Sequence, residues 1–146
     1  MIKKVAAALF AIALLSGCSS SAGKYGSNNK YIAEFERTVG DRVFFALDRS
    51  NISSEAQSTL MRQAGWLNEH SSFNVTVEGH CDERGTRDYN IGLGERRANA
   101  VKNFLVQNGV SADRIETISY GKERPAVIGN TEEAFSKNRR GVTVIK

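Results

Sequence analysis

The chain has 146 residues, a formal net charge of +4 at pH 7 and two cysteines, with 25% charged and 8% aromatic side chains. That is enough for one domain with a modest core, and two cysteines cannot build the disulfide framework of a small secreted scaffold. The charge surplus is too slight for polybasic adhesion to nucleic acid or to an anionic membrane.

The N-terminus reads as an export signal. MIKK supplies a basic start, Val5 to Leu15 an apolar run too short for a membrane span of about 20 residues, and Leu15-Ser16-Gly17-Cys18 a small-residue cleavage box. This box resembles the bacterial lipobox, which implies cleavage after Gly17 and lipidation of Cys18. Removing residues 1–17 takes Lys3 and Lys4 with it, leaving 129 residues, a charge of +2 and Cys81 as the remaining free thiol. Residues 18–40 are expected to hold the lipidated cysteine and a flexible tether, because Ser19 to Asn29 (SSSAGKYGSNN) has almost nothing to bury. A short helical turn over Lys30 to Thr38 would centre on Ile32 and Phe35.

From residue 41 onward strand and helix signals alternate. Arg42 to Leu47 (RVFFAL) has the β-branched and aromatic content of a strand. Asp48 to Ser53 is a turn, and Ser54 with Gln57 matches a capping box for a helix that aligns Ala56, Leu60, Ala64 and Leu67. Phe73, Val75 and Val77 alternate with polar residues, as in a half-buried strand. A second helix is predicted over Asn90 to Gln107, burying Leu93, Ala98, Val101 and Leu105. A strand over Arg114 to Tyr120, a loop holding the only proline, a short helix over Thr131 to Asn138 and a last strand around Val142 and Val144 follow. The order predicts an α+β fold, a βαβαβ two-layer sandwich with helices packed on a mixed sheet.

The chemistry concentrates between Gly79 and Leu105. Asp82 follows the carboxyl end of the second strand, where ligand crevices of open sheets lie, and Arg97 sits about two turns into the next helix. Helical side chains lean toward the N-terminus, so Arg97 can reach back to the helix mouth, where unpaired amides favour an anion. A carboxylate that takes an ammonium and a guanidinium that grips a carboxylate together receive an amino-acid-like zwitterion.

Gly79, His80, Cys81 and Asp82, followed by Asn90, Leu93, Gly94, Arg97, Ala98, Val101 and Leu105, resemble the OmpA-like peptidoglycan-binding domain family. Its pattern is a Gly-His-Thr-Asp turn and a helix reading Asn-x-x-Leu-Ser-x-x-Arg-Ala-x-x-Val-x-x-x-Leu. The resemblance covers residues 41–146 as the domain. It implies that the ligand is the diaminopimelate residue of the peptidoglycan stem peptide, with Asp82 taking its ammonium and Arg97 its carboxylate. It also implies that Asn90 shapes the helix start, Leu93 packs beneath the site, and Phe45 and Ala46 wall the pocket. Two positions depart from the pattern: Ala46 stands where many relatives carry Asp, and Cys81 where Thr is usual. Replacing Asp82 or Arg97 is expected to abolish wall binding without unfolding the domain.

Asp82-Glu83-Arg84-Gly85-Thr86, Leu93 to Lys102, Ser119 to Glu123 and Ser136 to Arg140, together with a lipobox upstream, resemble a lipoprotein subgroup of that family. The subgroup implies a lipid-anchored outer-membrane protein whose domain faces the periplasm. It further implies membership of the Tol system, with TolB and TolA as partners, in maintaining the outer membrane and constricting the envelope at division. Ser19 agrees with outer-membrane sorting.

Other classes fit less well. His80, Cys81 and Asp82 are adjacent, but neighbours on an extended chain point to opposite faces, so His80 does not activate Cys81 and a cell-wall hydrolase lacks its machinery. No spacing supplies the further ligands of a metal site, and no cofactor is expected. Arg96, Arg97 and Lys102 make a basic helix, but export and the small charge argue against nucleic acid. A lipoprotein that binds partners without binding the wall is the remaining alternative. Arg139 and Arg140 are read as structural charges, and Arg84 and Arg87 as a solvated loop face.

Overall fold

The computed structural model describes residues 23–146. The signal peptide, Cys18 and the first part of the tether therefore lie outside the described residues. Helix α1 (Gly23–Glu34) runs into a π-helical turn (Phe35–Gly40), followed by β1 (Arg42–Phe44), α2 (Ser54–Glu69), β2 (Val75–His80) and α3 (Arg87–Gln107). A 3₁₀ turn (Ala112–Arg114), β3 (Ile115–Gly121), α4 (Glu132–Asn138) and β4 (Arg140–Ile145) complete the chain.

The sheet is mixed, in the order β1-β4-β2-β3. β4 inserts between β1 and β2 and is antiparallel to both, while β2 and β3 run parallel with α3 as their crossover. α3 lies across β2 and β3, and α2 packs beside it against β1. Buried Val43, Val75, Val77 and Ile115 meet Leu60, Leu67, Ala98, Val101 and Leu105 between the layers. The predicted two-layer α+β architecture is thus the observed one.

Several element boundaries move, each for a local reason. The folded unit starts well ahead of residue 41. Phe35 is 0% exposed and Val39 is buried, and Tyr31 sits edge-on to Trp66 and His70. Polarity of the sequence up to Asn29 hid this, because the apolar residues that seat the segment all follow it. The carbonyls freed at the end of the π turn are taken by α2: Arg62 Nε donates to Val39 (3.3 Å) and Gln63 Nε2 to Gly40 (2.7 Å). The cap of α2 is Ser53, whose Oγ accepts from the Ala56 amide at 3.1 Å, so the capping box at Ser54 and Gln57 is not formed. α3 begins at Arg87, not Asn90, because Thr86 Oγ1 accepts from the Tyr89 amide and caps it. β1 ends at Phe44 rather than Leu47, because Ala46 to Arg49 closes a turn, with Arg49 N donating to Ala46 O at 3.2 Å.

Candidate functional site

Two glycines set the geometry. A Cβ on Gly79 would stand 1.7 Å from the carbonyl oxygen of Gly94, and one on Gly94 would stand 2.3 Å from Ser119 Oγ. α3 therefore rests directly on the β2 backbone, closer than any side chain allows. One residue later the β2–β3 register shifts between Gly79 and His80, and the Cys81 amide still donates to Gly121 O at 2.8 Å before the chain leaves the sheet at Asp82.

This close approach brings Arg97, from the third turn of α3, under the end of the sheet. Arg97 is 0% exposed. Its Nε donates to Arg49 O (2.8 Å), Nη1 to His80 O (2.9 Å) and Nη2 to Ala46 O (3.0 Å). Burial holds the guanidinium below its ordinary range, with Arg139 acting the same way and the Cys81 thiol and Asp82 opposing. Three of its five N–H groups are thus committed to backbone carbonyls, and the other two lie outside those bonds.

Asp82 is 4% exposed and already engaged. Oδ1 accepts from the Arg84 amide (3.1 Å) and Nε (3.2 Å); Oδ2 accepts from Arg84 Nη2 (2.7 Å) and Arg139 Nη1 (3.4 Å). Burial alone would raise this carboxyl, but the hydrogen bonds and charge of Arg84, with Arg139 behind, outweigh it and hold Asp82 below its ordinary value. Arg84 is exposed, as expected of a loop charge, yet it is paired with Asp82, and its guanidinium also lies 4.2 Å from the centre of the Phe135 ring. Arg139 is structural, as expected, donating to Phe45 O at 2.8 Å and pairing with Glu132 at 2.9 Å.

Asp82, Arg97, Asn90 and Leu93 converge on one small cleft. Asn90 is buried, and its Nδ2 donates to Arg84 O (2.8 Å) and Thr86 O (3.0 Å), pinning the loop that leads into α3. The floor is Cys81, whose thiol donates to Asn90 O at 3.3 Å and is pushed up by burial. Its partner is a carbonyl and that of His80 is Glu78 (3.0 Å), so the two do not form a nucleophile–base pair. Among the described residues no group of three or more His, Cys, Asp or Glu is placed to hold a metal ion, and no helix is long and apolar enough to cross a membrane.

Phe45 and Ala46 do not line the cleft. Phe45 is buried behind it, its ring centre 5.3 Å from the Arg97 guanidinium, and Ala46 contributes its carbonyl to Arg97. The wall is built instead by Leu47 and Asp48. Asp48 takes a left-handed backbone, φ 54°, rare outside glycine, and its Oδ1 accepts from Tyr89 Oη at 3.3 Å. Strain of this kind gathers at ligand sites. An acid four residues beyond the end of β1, in a turn without glycine, was the available signal.

The OmpA family model matches residues 44–139, a span that runs from the end of β1 through both arms of the cleft to Arg139. The chain belongs to the OmpA family. Within it, this chain is 46% identical to the peptidoglycan-associated lipoprotein of Mesorhizobium japonicum, over 94% of this chain and 89% of that one. It is 41% identical to the protein of the same name from Pasteurella multocida, over 97% and 96%. The crystal structure of the peptidoglycan-associated lipoprotein from Burkholderia pseudomallei, 32% identical, matches at a TM-score of 0.74 over 78% of this chain and 98% of that one. The C-terminal domain of Helicobacter pylori MotB shares the fold, at a TM-score of 0.68, 22% identity and coverage of 73% and 84%. The relatives carry the name of an associated lipoprotein, and this OmpA-family chain is not an enzyme.

Proposed function

We propose that this chain is an outer-membrane lipoprotein that binds peptidoglycan noncovalently, through the diaminopimelate residue of the stem peptide. The observation that carries this reading is the convergence of a buried guanidinium with two unspent donors and two carboxylates on one cleft. It stands in a chain similar over nearly its full length to proteins named peptidoglycan-associated lipoprotein. The two free N–H groups of Arg97 take the ligand carboxylate as a pair. The ammonium enters between Asp48 and Asp82, and Arg84 swings off Asp82 toward solvent as it does so. That exchange trades one cation for another on the same carboxylate, so the charge of the buried acid stays compensated throughout.

In this reading residues 1–17 are a cleaved signal and Cys18 carries the lipid that anchors the protein in the outer membrane, with residues 41–146, extended back through α1, facing the periplasm. The same likeness supports a place in the Tol-Pal system, with TolB and TolA as partners, in outer-membrane integrity and constriction at division.

Cosedimentation of the full chain, in mild detergent, with purified diaminopimelate-type peptidoglycan tests the proposal. Wild type pellets, free diaminopimelate releases it, and Asp82→Asn, which keeps the size of the side chain and its acceptor oxygen, stays in the supernatant. Wild type remaining in the supernatant would refute wall binding and leave a lipoprotein that binds protein partners alone.

A further inference from the structure

A groove runs between the free edge of β1 and the start of α2, and it shares no lining residue with the cleft described above. Val43 and Ala56, both buried, lie at its base, and Ser53, Glu55 and Thr59 line its helix side. β1 is an outer strand of the sheet, paired on one side alone. The Thr143 amide donates to Asp41 O at 2.7 Å and the Phe45 amide to Arg139 O at 2.9 Å, so Asp41, Val43 and Phe45 turn their backbone groups toward β4. Arg42 and Phe44, between them, turn their N–H and C=O groups the other way, along the groove.

Outward N–H and C=O groups at strand spacing are matched by the backbone of another extended chain. At three residues β1 is too short to recruit a strand by backbone pairing alone, and the groove supplies the side-chain contacts that such pairing lacks. On an added strand the side chain opposite Val43 enters the groove, while its neighbours lie on the other face of the sheet beside Phe44, which is 49% exposed. Charge selects what enters. Arg42 is already engaged, donating to both carboxylate oxygens of Asp41 at 2.9 and 3.1 Å. Glu55 is exposed and forms no ion pair among the described residues. The partial charge of the α2 N-terminus, about half a unit, leaves that carboxylate in excess. An apolar base beneath an uncompensated carboxylate suits a lysine, its stem on Val43 and Ala56 and its ammonium on Glu55.

We propose that β1 and α2 form a strand-addition site for an extended segment of a partner protein, one that carries a lysine between apolar residues. The segment lengthens the sheet by one strand beyond β1, bonding to the backbone of Arg42 and Phe44. The lysine fills the groove, and an apolar neighbour covers Phe44. This site stands independently of wall binding, since groove and cleft have no residue in common.

The test is nuclear magnetic resonance on the isotope-labelled full chain, titrated with two acetylated peptide amides, Thr-Ile-Lys-Ile-Thr and the same peptide with glutamate in place of lysine. The lysine peptide is expected to slow hydrogen exchange at the Arg42 and Phe44 amides. It should bind about fivefold tighter than the glutamate peptide, as an exposed attraction replaces a repulsion. Glu55→Lys, in the exposed first turn of α2, should reverse that order and leave the fold intact. Free exchange at both amides under millimolar peptide would overturn the site, and an order of affinity that survives Glu55→Lys would overturn the choice of lysine. Protection that rises with protein concentration before any peptide is added would give the edge to a second copy of this chain and overturn the proposal as well.

Discussion

Arg97 Nε donates to the carbonyl of Arg49 at 2.8 Å across 48 positions of chain, and the same guanidinium holds Ala46 O, at the other end of the 46–49 turn. One side chain on α3 thus clamps both ends of the turn that presents Asp48. The group that would grip the ligand carboxylate is also the group that builds the wall for its ammonium. Under the proposed function, binding and folding share this residue, and its three backbone bonds revise the expectation that it can be removed without structural cost.

Arg97→Ala is therefore expected to lower stability by about 3 kcal/mol or more, because it strips three carbonyls of their donors in a buried setting. Urea denaturation of the variant reads this as a lower midpoint. An unchanged midpoint would show that the clamp is dispensable.

Asp48→Gly separates the two roles. Glycine adopts φ 54° without penalty, so stability should hold within about 1 kcal/mol of wild type or rise. Affinity for diaminopimelate should fall about tenfold, the loss of one charge-assisted contact. Thermal melting and ligand titration on one preparation check both, and unchanged affinity would remove Asp48 from the site.

Gly79→Ala is expected to cost about 3 kcal/mol or more, since the added methyl meets the α3 backbone at Gly94 rather than a side chain that could turn aside. The displaced helix would carry Arg97 with it, so wall binding falls together with the melting temperature. A variant as stable as wild type would mean that α3 can lift off the sheet freely.

Stability should decline in two stages on acidification. His80 is buried between Glu78 on its own strand, Arg140 on β4, and Tyr120 with Arg124 beyond β3; burial keeps it below its ordinary 6.5, and Arg140 and Arg124 act the same way against Glu78. The unfolded chain then binds the proton more readily, so stability is full above 6.5 and begins to fall as the pH drops through that value. Asp82, also held low, contributes stability that is present above its ordinary 3.8 and is lost as the pH falls through its folded value. Denaturation midpoints across this range should show both stages, and His80→Gln should remove the first alone.

The sequence by itself determined the alternation of strands and helices, the buried faces of α2 and α3, and the nearness of Asp82 and Arg97 to one cleft, because each is a local signal: a period of two or 3.6, or a short motif at fixed spacing. Only the tertiary structure decided that β4 enters between β1 and β2, that Tyr31 and Phe35 join the core, and that Leu47 and Asp48 rather than Phe45 and Ala46 form the wall. Those outcomes depend on contacts between residues far apart in the chain. Where Arg97 would bond was fixed by which carbonyls the Gly79–Gly94 approach left within its reach. No spacing along one chain encodes that distance; it exists only once helix and sheet have met.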